Sequence, residues 1–176
     1  SAASDVYKRQ QLAWVALYGS PMDPAPLSQA VSGAGTAMKE PGTLIWRVDQ
    51  RSLIVVAGMP GRFRPEDAYI VLVTTQSLLS RSLVSEIFLW LGAATSTVEQ
   101  GVASVVAVEL DEMLGGGWVL HRERQGHESG QFCHVFDNVL EYLPPRSSEP
   151  EPGGSSLLSI EGDELEPRGR HAKQLG

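Results

Sequence analysis

Two nearly continuous apolar segments restrict the possible folds of this chain most strongly. They are residues 68–74 (AYIVLVT) and 86–91 (EIFLWL), and neither shows the alternation of a strand with one wet face. Segments of strand length that are apolar at almost every position are typical of strands buried on both faces. We therefore expect two central strands, with helices packed over each side of their sheet.

The neighbouring segments predict the rest of the sheet. Leu44, Trp46 and Val48 alternate with Ile45, Arg47 and Asp49, and after a polar turn comes the apolar stretch 53–56. This pattern predicts a strand pair. Towards the C-terminus we expect a strand over 118–124, a short helix over 128–136 and a last short strand over 140–143.

A long helix is predicted between the second apolar run and the strand at 118–124. Ser96 and Glu99 have the spacing of a capping box, in which each side chain satisfies a free main-chain N–H group. The helix should run to about Leu114 and end at the glycine triplet 115–117, because glycine tolerates the left-handed conformation of helix ends.

The long helix has one broad apolar arc, which should pack on the sheet. Its members are Val98, Val102, Ala103, Val106, Leu110, Met113 and Leu114. Val105 and Val108 fall instead on the polar side, among Gln100, Ser104 and Asp111. They are either scattered surface valines or anchors that enter a groove on a partner.

Glu99 allows two interpretations, because it lies on the core-facing arc in the first turn of the helix. It is either the helix cap just described, or a ligand for a cation shared with a second carboxylate. Asp67, immediately before the first central strand, is well placed to be that second carboxylate.

The two ends of the chain differ in composition from its middle. Residues 1–10 resemble a translated sequencing-library adapter, which implies a fragment without its true N-terminus. Prolines and glycines should stop any long element in the leader, 11–38, and the Pro-, Glu-, Ser- and Gly-rich tail, 144–176, should be disordered. We expect one domain over 39–143, and a chain of 39–145 should melt cooperatively near the temperature of the full chain.

Charge and cysteine content exclude several classes of protein. The 176 residues hold 14 basic and 21 acidic side chains, a net charge of −7 that disfavours nucleic acid and anionic membranes as partners. No apolar run approaches the roughly 20 residues needed to cross a bilayer. One cysteine, Cys133, fits a reducing compartment, so we expect a cytoplasmic location. The Cys133–His134 neighbours point in different directions on a helix, and no catalytic constellation is present.

Five segments together resemble a known family. They are KEPGTLIWRV (39–48), EDAYIVLVT (66–74), FLWLG (88–92), EQGVASVVAVELDEMLGG (99–116) and HRERQGHESGQF (121–132). In order and spacing they resemble a gelsolin-homology domain, most similar to the first domain of gelsolin, villin, severin and fragmin. The resemblance implies an α+β fold, with a mixed sheet of five or six strands between one long and one short helix.

The resemblance also implies a function. The domain should be a monomeric, non-enzymatic actin-binding module of the cytoskeleton, from a protein that caps or severs filaments under calcium control. Its exposed helix side would enter a cleft on actin, which gives Val105, Val108, Asp111, Ser104 and Gln100 a role. The alternative is a calcium-independent interaction module of a coat-type assembly. An enzyme of unknown type is a third possibility, which a thiol-reactivity assay on Cys133 would check.

Two calcium sites follow from the same resemblance. Asp67 and Glu99, with the main-chain carbonyl of Glu66, match an internal site, although the usual loop ligand is lost where the sequence diverges from Pro144 onward. Asp111, with the carbonyls of Gly116 and Trp118, matches a second ion held between domain and actin. Residues 136–142 lack the basic cluster that binds phosphoinositides in relatives, so we expect no such binding there.

Overall fold

The computed structural model describes residues 25–148 and the single positions Arg9, Leu12 and Val15. Its elements are α1 (Ala25–Ala37), β1 (Gly42–Asp49), β2 (Ser52–Val55), β3 (Arg62–Phe63), β4 (Ala68–Gln76), β5 (Leu83–Leu91), α2 (Thr97–Met113), β6 (Leu120–Arg124), α3 (Gly130–Val135), β7 (Glu141–Tyr142) and a 3-10 helix (Arg146–Ser148). The interpretation of residues 1–10 and most of the predicted tail, from 149 to 176, fall on residues outside this description.

The main sheet has five strands in the order β2-β1-β4-β5-β6. Neighbouring strands are antiparallel except β5 and β6, which are parallel and connected through α2. The two apolar runs form β4 and β5 at the centre, and seven consecutive residues of β4 are buried. The prediction of central strands buried on both faces is confirmed.

Helices cover both faces of the sheet. Residues of α1 and α2 share one core cluster with one face, while Phe132 of α3 and the neighbouring Phe136 join an aromatic cluster on the other. The fold is therefore a mixed α+β arrangement with a long and a short helix on opposite sides. Among the described residues, no helix has the length and apolar character required to cross a membrane.

The helix α1 was not expected. Pro21 and Pro24 lie before it and Pro26 in its first turn, where a missing N–H group disrupts no helical hydrogen bond. Leu27, Ala30 and Ala34 are buried in the core cluster. The prediction that prolines and glycines stop any long element in 11–38 is wrong, because burial of this apolar stripe outweighs weak helix propensity.

The buried face of α2 is shorter than predicted. Val102, Ala103, Val106 and Leu110 are buried as expected, but Val98 is 54% exposed and Met113 38% exposed. All buried positions of the helix lie between 102 and 110, so the sheet covers only its middle turns.

The start of the predicted tail is also ordered. Residues 146–148 form a 3-10 helix, and the Arg146 side chain contacts Asp67. The prediction of disorder is therefore wrong for residues 146–148. The buried carboxylate of Asp67 is stabilised by a nearby positive charge, and Arg146 supplies that charge from this segment.

Candidate functional site

The C-terminal end of α2 and the turn after it bring together three residues that the sequence singled out. The Trp118 main-chain N–H donates to Oδ1 of Asp111 over 3.0 Å, and the Gly116 N–H donates to the Asp111 carbonyl over 2.9 Å. Gly115, Gly116 and Gly117 all have positive φ, of 108°, 71° and 86°. The glycine triplet allows the chain to fold back on Asp111, because other residues adopt this conformation with strain.

This turn has hard oxygen donors but not a complete metal site. Calcium takes six to eight oxygen ligands, with carboxylates and main-chain carbonyls among them. Asp111 is half-buried and offers one carboxylate, and the turn offers carbonyl groups. Within residues 25–148, no group of three or more His, Cys, Asp or Glu side chains could hold a metal ion. A calcium ion at Asp111 would therefore need further oxygen ligands, from main-chain carbonyls, water or a second molecule.

The outward face of α2 is a half-buried stripe. Gln100, Ser104, Val108 and Asp111 are spaced by four, four and three residues, so they follow one another along the same side of the helix. The Gln100 side chain donates to the Thr95 carbonyl over 3.0 Å, and Ser104 Oγ donates to the Gln100 carbonyl over 2.8 Å.

The two valines of this face are not equivalent. Both are half-buried, but Val105 packs against the core cluster shared by α1, α2 and the sheet. The interpretation that the core uses neither valine is therefore wrong for Val105. Val108 belongs to neither core cluster of the described residues, so its partly exposed side chain remains available for contact.

A second candidate site lies where β4 begins beside the start of α2. The Asp67 carbonyl accepts hydrogen bonds from the Gly92 N–H at 3.0 Å and from Thr95 Oγ1 at 3.1 Å. A Cβ atom at Gly92 would lie 2.0 Å from the Pro65 carbonyl oxygen, so only glycine permits this approach. The loop after β5 is thus held against residues 65–67, next to the first turn of α2.

Asp67 is buried and fully engaged. Nη1 of Arg146 donates to its Oδ1 at 3.1 Å, Nη2 donates to Oδ2 at 2.5 Å, and the Tyr69 hydroxyl donates to Oδ2 at 3.2 Å. Burial, together with the charge of Asp67 and the hydrogen bond to it, raises the pKa of Tyr69 to about 12. The hydrogen bond to Asp67 also raises the pKa of Arg146, against the effect of burial.

Glu66 contacts the same arginine. Its Oε1 accepts a hydrogen bond from the Arg146 main-chain N–H at 2.8 Å and lies 3.8 Å from Nη1. Burial opposes ionisation, but this N–H donor and the charges of Arg146 and Arg64 outweigh it. The pKa of Glu66 therefore lies below its usual value.

Glu99 forms the predicted capping box. Its Oε2 accepts from the Ser96 N–H at 2.8 Å and from Ser96 Oγ at 2.6 Å, while its own N–H donates to Ser96 Oγ. The residue is exposed, so its assignment to the core-facing arc was wrong. It nevertheless lines the same cleft as Asp67, and this cleft has a volume of about 270 Å³.

Arg146 is the residue of this cleft that sequence reasoning missed. It was assigned to the tail because its neighbours are prolines, serines and acidic residues. Asp67, immediately before a buried strand, could have indicated such a residue, because a buried carboxylate needs a cationic or hydrogen-bonding partner. That signal indicates a cation but not which residue supplies it.

Comparison with known proteins identifies a repeat of known type within this chain. Residues 59–133 match the gelsolin repeat. Villin-2 of Arabidopsis thaliana is 44% identical over 111 residues, which cover 62% of this chain and 11% of that protein. The "Actin depolymerising venom protein gelsolin 1" of Platymeris rhadamanthus is 36% identical over 137 residues, which cover 73% of this chain and 36% of that protein.

A chain of the solved Thorarchaeota 2DGel3/rabbit actin complex aligns with a TM-score of 0.44 and 21% identity, covering 58% of this chain and 45% of that chain. The curated relatives are much longer, since this chain spans only 11% of the villin and 36% of the venom gelsolin. Residues 59–133 of this chain therefore lie in a gelsolin-homology domain of the gelsolin and villin family.

Proposed function

We propose that this domain binds actin through the outward face of α2, with a calcium ion assisting at Asp111. The observation that carries the proposal is the hydrogen-bonded turn that joins Trp118 and Gly116 to Asp111, at the end of a helix with a half-buried polar and apolar stripe. The venom relative is named as an actin-depolymerising protein, which supports actin as the partner.

The stripe suits insertion into a groove. Amphipathic helices bind grooves through side chains spaced by three or four residues, and Gln100, Ser104, Val108 and Asp111 have that spacing. Val108 would be the apolar anchor. Gln100 already donates to the Thr95 carbonyl just before the helix, and Ser104 donates to a carbonyl within the helix, so both border the contact rather than supply its main energy.

A calcium ion at Asp111 would complete the contact. The Asp111 carboxylate and the carbonyls of Gly116 and Trp118 would hold the ion on this side, and the partner would supply the remaining oxygen ligands. The ion would offset the negative charge of Asp111 at an interface that excludes water. Affinity for the partner should then depend on calcium.

Filament capping or severing would be the activity of a longer protein that contains this domain. We propose that this chain is a fragment of a cytoplasmic, cytoskeletal protein that caps or severs filaments, because its curated relatives extend far beyond the matched region. One domain of this kind would bind a single actin subunit.

Binding of monomeric actin by the full chain tests the proposal. Affinity should be measured by fluorescence titration in calcium and in chelator, with filament cosedimentation alongside. We expect saturable one-to-one binding that calcium strengthens. Absence of binding in both conditions, with a folded domain, would contradict the proposal.

One observation favours the alternative of a calcium-independent interaction module. Arg146 already pairs with Asp67, a proposed ligand of the internal calcium site. If actin binding is absent or indifferent to calcium, a module of coat-type assemblies becomes the better account. The calcium dependence of binding therefore separates the two functions.

A further inference from the structure

We infer that the guanidinium of Arg146 takes the place of the internal calcium ion in this domain. The resemblance implies calcium between Asp67 and Glu99, but the residues present do not fit an ion there. Both carboxylate oxygens of Asp67 accept hydrogen bonds from the terminal nitrogens of Arg146. The chain thus carries its own cation at this site, and the inference stands independently of actin binding.

The carboxylates beside Asp67 are partly engaged as well. Oε2 of Glu99 accepts two hydrogen bonds from Ser96, and Oε1 of Glu66 accepts the Arg146 main-chain N–H. Oε2 of Glu66 is buried without a hydrogen-bond partner among the described residues, and Arg146 supplies the positive charge beside this carboxylate. A calcium ion needs six to eight oxygen donors around it. To bind here, it would have to displace a bidentate arginine whose own charge repels it.

The charges around the cleft explain why a cation is held there. Four carboxylates line it, those of Asp49, Glu66, Asp67 and Glu99, together with two guanidinium groups, those of Arg47 and Arg146. Arg47 lies 3.7 Å from Asp49, whereas Arg146 contacts both Glu66 and Asp67. Asp67 is only 7% exposed, so without a cation it would be a buried and uncompensated charge.

The position of Arg146 has a structural consequence. It reaches Asp67 from the segment after β7, and its main-chain N–H bonds to Glu66. The last described segment is therefore held against the start of β4 by the contacts of Arg146. Removal of the guanidinium should leave a cleft with several carboxylates that a divalent cation can enter.

Calcium response of the full chain tests this inference. Thermal midpoints and calorimetric titrations with calcium chloride, and with magnesium chloride for comparison, should be measured for wild type and Arg146→Gln. We expect no midpoint shift for wild type through this site. Arg146→Gln should melt at a lower temperature in chelator and gain about 5 °C in saturating calcium.

Two further variants locate the response. Arg146→Gln combined with Asp67→Asn should lose the calcium gain, because the buried carboxylate is its main ligand. Arg62→Gln is the matched control, since it removes the exposed ion pair of Arg62 with Glu141 and should create no calcium response. If Arg146→Gln does not fold, Arg146→Lys keeps a charge at the site and should show a smaller gain.

Two results would overturn the inference. One is a calcium-dependent midpoint shift in the wild type that Asp67→Asn abolishes, because calcium would then displace the arginine. The other is a folded Arg146→Gln that neither binds calcium nor gains stability from it. A wild-type response that survives Asp67→Asn belongs to another position and agrees with the inference.

Discussion

Trp118 is joined to Asp111 by a 3.0 Å hydrogen bond from its main-chain N–H to the carboxylate oxygen Oδ1. This bond closes the glycine turn against the last turns of α2, and it fixes the only acidic side chain of the proposed actin-binding stripe. Asp111 therefore has a structural role in the turn and a proposed role at the interface.

Asp111→Ala should separate these two roles. Loss of a hydrogen bond to a charged acceptor should lower the free energy of unfolding by about 1.5 to 3 kcal/mol at most, because the site is half-exposed. Actin affinity in calcium should fall by about tenfold or more, with little change in chelator. Affinity titrations in both buffers check this. An equal loss in both would mean that calcium has no part at Asp111.

Gly92 should tolerate no side chain. In Gly92→Ala the new Cβ would lie 2.0 Å from the Pro65 carbonyl oxygen, so the loop that supports Asp67 must move. We expect a loss of about 3 kcal/mol in the free energy of unfolding, measured by urea denaturation. Gly101→Ala is the control, since its Cβ meets nothing within 4 Å and should stabilise α2 by about 0.5 to 1 kcal/mol. Similar behaviour of the two variants would show that the close approach is wrong.

Helix α1 should contribute to stability. Leu27 is 1% exposed, and Leu27→Ala should cost about 2 to 5 kcal/mol through lost burial and a cavity. Gln29→Ala, at an exposed position of the same helix, should change stability by less than about 0.5 kcal/mol. A chain of 39–145 lacks α1 and should accordingly melt below the full chain, contrary to the expectation from composition. Equal melting of Leu27→Ala and Gln29→Ala would mean that α1 does not pack as described.

Acid should weaken the domain through Glu66 and Glu128. Burial opposes ionisation of Glu128, but hydrogen bonds from the Trp90 indole and the Tyr142 hydroxyl outweigh it, so its pKa is lowered, as for Glu66. Folded pKa values below the usual 4.5 mean that the stabilisation is complete above pH 4.5 and is lost as pH falls through the lowered values. The free energy of unfolding should therefore fall below pH 4.5, less steeply in Glu128→Gln. An unchanged slope in that variant would exclude Glu128 as a cause.

Much of the fold could be predicted because several local signals agree. The apolar runs at 68–74 and 86–91 became central strands, and Ser96 with Glu99 formed the capping box. Burial on both faces and a helix cap are encoded within a few neighbouring residues. Such features depend little on distant contacts.

The features that sequence reasoning missed depend on long-range packing. Helix α1 is held by an apolar stripe of small residues, and Arg146 is held by Asp67, 79 residues earlier in the chain. Val105 and Val108 lie on the same polar-looking side, yet only Val105 reaches the core cluster. Helical periodicity alone does not distinguish them, because the neighbouring α1 contributes to that cluster.

The central claim is that the outward face of α2 binds actin, and Val108 tests it most directly. The measurement is the affinity of monomeric actin for wild type, Val108→Asp and Val105→Asp in calcium, together with their melting curves. Val108→Asp should fold normally and bind at least about tenfold more weakly, because a charge enters a desolvated contact. Val105→Asp should instead lower the melting temperature, since this valine packs against the core. Wild-type affinity in a folded Val108→Asp would contradict the account.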